Sequence, residues 1–196
     1  MTLLKKMSVL AFLLIFITSC NQDKKKTTAE IDENNTAEVM EVVEDTMQTP
    51  NIVEVAIGNE NFTTLVAAVK SADLVKTLSG NGPFTVFAPT NDAFEKLPDG
   101  TVESLLKAEN KEKLTNILTY HVVSGNFNAE SVIDAINSNN GSFTVKTVQG
   151  EDIELSIDGD SVMLKDANGS MSKVVMADVD ASNGIIHAID SVIMPK

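Results

Sequence analysis

Near residue 140 the apolar residues change period, and this change restricts the chain to folds that combine a helical layer with a meandering sheet. Before it, Phe62, Leu65, Val66 and Val69 recur at helical spacing. After it, Phe143, Val145 and Val148, then Ile153, Leu155 and Ile157, then Val162 and Leu164 alternate. Helices dominate one half and strands the other, which predicts an α+β fold and argues against an alternating βαβ order.

Local signals divide the pattern into elements. Asn51 and Glu54 form a capping-box pair at a helix start, and Ser71 is expected to cap a helix carrying Leu74, Val75 and Leu78 before Gly80 ends it. Phe84 to Ala88 alternates as a strand ended by Pro89. Thr90 is expected to cap a helix over Asn91–Leu97, with Asp92 suiting its positive end, and Pro98-Asp99-Gly100 reads as a turn. Helices are predicted over Thr101–Lys107, Lys111–Thr119 and Ala129–Ile136, the last capped by Asn128. Tyr120-His121-Val122-Val123 reads as a strand, so Tyr120 and His121 should point to opposite faces and only one should enter the core. Asp158-Gly159 and Asn168-Gly169 are hairpin turns. They also hint at calcium loops, but they lack the spaced oxygen ligands of an EF-hand.

Charge narrows the partners. The 196 residues carry a formal net charge of −13, and all fifteen cationic residues are Lys. Without Arg the chain lacks the forked donor for bidentate phosphate and base contacts, which argues against nucleic-acid binding. One Cys excludes an intramolecular disulfide and a Cys-based zinc cluster. Two His do not make a metal site, so no cofactor or required metal is expected. No nucleophile elbow or phosphate loop is present, so an enzyme is not expected.

The amino terminus reads as an export signal over residues 1–19. Lys5 and Lys6 precede an apolar run from Met7 to Ile17. That run spans roughly 16 Å as a helix, about half a hydrocarbon core. It ends Ile17-Thr18-Ser19-Cys20, which resembles a bacterial lipobox, and Cys20 is expected to carry the lipid. Asn21 follows where an inner-membrane retention signal would place Asp, so the expected location is the outer membrane, with the domain facing the cell surface or the periplasm. Residues 20–49 are acidic, without aromatic residues or Gly, and read as a flexible tether, the alternative being a helical stub over 36–46. Residues 50–196 are the folded domain.

Three segments of that domain resemble the fasciclin-like (FAS1) family. They are Phe84 to Phe94 (FTVFAPTNDAF), Tyr120-His121 followed by Val122-Val123-Ser124-Gly125, and Ser182 to Asp190 (SNGIIHAID) followed by Val192 to Pro195. All three stand in the family's order and spacing. The resemblance implies a wedge-shaped β-sandwich of about seven strands with a helical layer packed against it. It implies that Phe84, Pro89, Thr90, Phe94, Asn183, Gly184, His187 and Asp190 are mainly structural signature positions. It also marks Tyr120, His121, Asn91 and Asp92 as candidate partner-binding residues, with a core hydrogen-bonding role preferred for the Tyr–His pair and the shaping of a helix start and its turn preferred for Asn91 and Asp92. The implied function is adhesion or extracellular interaction with a protein or polysaccharide. The alternative is a carrier of a small apolar ligand, a lipid or carotenoid. Asp166–Lys173 is expected to form a lengthened loop.

Overall fold

The structure is a computed structural model and describes residues 49–196. The signal segment, Cys20 and the 36–46 stub lie outside the described residues. The first helices are α1 (Ile52–Ile57), α2 (Thr63–Ser71) and α3 (Val75–Leu78). Strand β1 (Phe84–Pro89) follows, then α4 (Asn91–Glu95), α5 (Thr101–Leu105) and α6 (Lys111–Tyr120). After β2 (Val122–Ser124) and α7 (Ala129–Ser138) come β3 (Ser142–Lys146), β4 (Asp152–Asp158), β5 (Ser161–Lys165), β6 (Met171–Ala181) and β7 (Gly184–Ile189).

The strands form one sheet in the order β2-β1-β7-β6-β5-β4-β3. Only β1 and β7 run parallel; every other pair is antiparallel. The long β6 joins the two halves. Its first three residues pair with β5 and the rest pair with β7, through two register shifts. The sheet folds back on itself there, and its outer edges nearly meet. Val123 bridges Thr147, and the Val148 N–H donates to the Val122 carbonyl at 2.7 Å. The result is a seven-strand, near-closed sheet with helices packed on it, the expected α+β class.

Two cores explain why β1 and β7 read as unbroken apolar runs. Val86, Ala88, Ile186 and Ala188 face the helical layer of α1, α2, α3 and α6. Phe87 and Ile189 face the interior of the folded sheet, with Val145, Ile153, Leu155 and Leu164. Strands covered on both faces need no polar alternation.

The Asn51 cap forms as expected: its side chain accepts from the Val53 and Glu54 N–H groups, and Glu54 accepts from the Asn51 N–H. Thr90 caps α4, accepting from Ala93 N–H at 3.3 Å. Five expectations change. Ser71 ends α2 and caps nothing; α3 starts after Leu74 without a side-chain cap. The α4 and α5 helices stop at Glu95 and Leu105, short of Leu97 and Lys107. The loop expected over Asp166–Lys173 is a tight turn over residues 166–170, because Met171 to Lys173 pair with β5. Tyr120 and His121 are the last residue of α6 and its C-cap, not a strand. Consecutive helical residues sit about 100° apart, so both side chains enter the core.

Candidate functional site

Tyr120 and His121 tie the helices to the sheet from inside. Tyr120 is 0% exposed. Its hydroxyl donates to the Asp152 carbonyl and accepts from the Ala167 N–H, both at 3.0 Å. Burial pushes its pKa up to about 12; nearby Asp166, Glu151 and Asp152 act the same way against the Ala167 bond. His121 is 2% exposed. Its Nδ1–H donates to the Ile117 carbonyl at 2.8 Å, and Nε2 accepts from the Ile193 N–H at 3.3 Å. Burial drives its pKa down to about 4, against the pull of the Ile117 carbonyl and the Asp166 carboxylate. Neither ring presents an atom to a partner in this state.

His187 plays a similar part on β7. Nδ1 accepts from the Asp178 N–H at 3.3 Å, and Nε2–H donates to the Phe127 carbonyl at 2.7 Å. The ring stacks on Phe87 with centroids 5.8 Å apart. Asp178, at φ 56 in the irregular part of β6, also accepts from the Ala129 N–H at the start of α7. Asn183 holds the opposite end of the strands. It accepts from the Ile52 N–H and donates to the Leu78 and Gly80 carbonyls. Gly184 is required by close approach, since a Cβ there would lie 2.0 Å from the Phe84 carbonyl oxygen. Phe84 and Phe94 pack against the helical core, and Pro89 closes β1.

The turn that hinted at calcium is closed by protein groups. Asp166 Oδ1 accepts from the Asn168 and Ser170 N–H groups, and Oδ2 accepts from the Met194 N–H. Among the described residues no three His, Cys, Asp or Glu side chains converge.

Asn91 and Asp92 separate in role. Asn91 Oδ1 accepts from the Thr64 N–H and the Thr63 hydroxyl, and its amide donates to the Glu60 carbonyl. It thus caps α2, whose own first residues supply no side-chain cap. Asp92 is exposed on α4 and makes no side-chain hydrogen bond among the described residues. It lines an open groove of about 360 Å³ together with Thr90, Lys96, Asp190, Val175 and Met176. Lys96 pairs with Asp190 at 3.0 Å. Partial burial raises the Asp190 carboxyl, but the Lys173 N–H and Lys96 outweigh it and hold the pKa below the usual carboxylate range. Val175 and Met176 are 54% and 42% exposed because the register shifts turn this part of β6 outward. An apolar run such as Val174-Val175-Met176 carries no local sign of this exposure; Asp178 within the strand is the one signal of irregularity.

A second opening lies between helices and sheet. Ile52, Leu65, Val69, Leu78, Val86 and Leu118 line an apolar crevice of about 30 Å³. That is room for about two water-sized volumes, so this crevice as it stands is too small for a lipid or carotenoid.

The Fasciclin domain family matches residues 60–195, most of the described fold. The chain belongs to the fasciclin domain family. Protein sll1483 of Synechocystis is 56% identical over 144 residues, covering 74% of this chain and 73% of that protein. The transforming growth factor-beta-induced protein ig-h3 of Sus scrofa is 37% identical over 159 residues, covering 77% of this chain but only 20% of that protein. A solved FAS1 domain pair from the insect cell adhesion molecule fasciclin I shares the fold, with a TM-score of 0.67 at 18% identity over 75% of this chain and 51% of that one.

Proposed function

We propose that this fasciclin-domain chain is a lipid-anchored cell-envelope protein that mediates adhesion or extracellular interaction through the groove beside α4. The observation that carries the reading is the exposed Val175–Met176 pair beside the unengaged Asp92 carboxylate. Adjacent exposed apolar side chains rimmed by polar groups suit an interaction surface, and the other signature residues are engaged in internal hydrogen bonds, an ion pair or core packing. The groove lies at the Pro89–Ile189 end of β1 and β7. The described chain enters at the other end, where the Pro50 carbonyl accepts from the Ser182 N–H. Membership of the fasciclin domain family supports the interaction role, and the lipobox-like segment ending at Cys20 supports the anchor.

Protease shaving of intact cells tests location and anchoring together, with a Cys20→Ala strain alongside. The proposal expects cleavage of the domain on intact cells and release of the Cys20→Ala protein from the membrane fraction. Protection until the outer membrane is broken would place the domain in the periplasm and exclude direct contact with other cells.

A further inference from the structure

We infer that a second site, a polar cup at the opposite end of β1 and β7 from the groove, binds a neutral polysaccharide. The inference deepens the interaction role by naming a partner class, and it rests on different residues. The cup is open to solvent and offers about 420 Å³, within the usual range for small-ligand sites of roughly 300–1,000 Å³. Asn81, Asn126, Asp180 and Ser182 line it. None of these four side chains makes a hydrogen bond among the described residues, although each sits on backbone that is held firmly.

The supports come from four directions. Asn81 lies between Gly80, whose carbonyl accepts from Asn183, and Gly82, where a Cβ would lie 1.9 Å from the Asn183 carbonyl oxygen. Asn126 is carried by a loop pinned at both ends. The Gly125 N–H donates to the Pro83 carbonyl, Thr85 donates to the Gly125 carbonyl, and the Phe127 N–H donates to Thr85. Asp180 is paired with Ile185 in the β6–β7 ladder. The Ser182 N–H is bound by Pro50. The fixed backbone removes the cost of ordering a loop when a ligand arrives, and the four polar side chains are free to bond to it.

The chemistry of the lining selects the ligand. Two carboxamides and a hydroxyl both donate and accept, and one carboxylate accepts. That set matches the hydroxyls of a neutral sugar, and the exposed Pro83 ring offers an apolar surface for the C–H face of a pyranose. The lining has no Lys, so a sulfated or uronic polymer would meet Asp180 with no compensating cation. A single carboxylate is a poor calcium site, which commonly draws several.

Calorimetric titration of the full chain in a zwitterionic detergent, with EDTA present, tests this. The probes are maltohexaose, mannohexaose and xylohexaose, with hexagalacturonate as the anionic control. The expected result is binding of at least one neutral hexaose and none of the anionic one. Asn126→Ala and Asp180→Ala should each weaken that binding about three- to tenfold, roughly one hydrogen bond's worth. Their melting temperatures should stay unchanged. Failure of all three neutral hexaoses, equal binding of hexagalacturonate, or binding indifferent to both variants would overturn the assignment. Cell retention that survives those results would leave the groove reading standing and remove the cup alone.

Discussion

His121 should make the stability of this protein depend on pH in a window that few other groups share. The ring is fully buried and neutral, with its folded pKa near 4 against the ordinary 6.5. The unfolded chain therefore takes up the proton first, and stability falls as pH drops through 6.5 toward 4. With those two values, lowering the pH from about 7.5 to about 5 removes about 2 kcal/mol, most of it below pH 6.5. Asp190 acts outside this window. Its depressed pKa adds stability that is present above the ordinary carboxylate range and is lost only as pH falls below it. The chain has two His, so His187 is the one other histidine to control for. Urea unfolding followed by circular dichroism, at several pH values in that range, gives the slope. His121→Gln should be less stable at pH 7.5 yet lose about 2 kcal/mol less on acidification than the parent. Equal slopes in the two proteins would refute the reasoning, because the buried imidazole would then not be the group that titrates.

Three further substitutions test the internal framework. Tyr120→Phe removes one donor and one acceptor from a buried site and strands the Asp152 carbonyl and the Ala167 N–H. It should cost about 1–3 kcal/mol in urea unfolding. Asn91→Ala takes the cap from α2, and should cost about 1 kcal/mol with amide exchange accelerating first at Thr64. Gly184→Ala drives a methyl into the backbone of Phe84 and should cost about 3 kcal/mol or more, read as loss of soluble folded protein or a large fall in melting temperature.

The features legible in the sequence were the ones with local causes. The Asn51–Glu54 box and the Thr90 cap are decided by residues three apart, and both formed where local chemistry puts them. The change of hydrophobic period correctly anticipated helices before residue 140 and a meander after it, because burial of one strand face imposes a period of two. Tyr120-His121 misled because Val122-Val123 favours strand, yet packing of Ile117, Leu118 and Tyr120 carries the helix through Tyr120, with His121 as its C-cap. Asn91 was read as shaping a helix start, and it does, but for α2, a helix nearly thirty positions earlier in the chain. The groove and the cup were not legible. Val175 becomes exposed only through register shifts in β6, and Asn81, Asn126 and Asp180 meet only because β1 and β7 lie side by side. No periodicity records either event.

The role of the groove is tested most directly by attachment of cells carrying the Val175→Asp, Met176→Asp double variant, compared with the parent at equal surface abundance. Both side chains are largely exposed, so the domain should keep its melting temperature, with a stability change within about 0.5 kcal/mol. The account predicts that cell attachment or aggregation falls to the level of a deletion strain. Attachment that matches the parent, with the variant folded and on the surface, would contradict it.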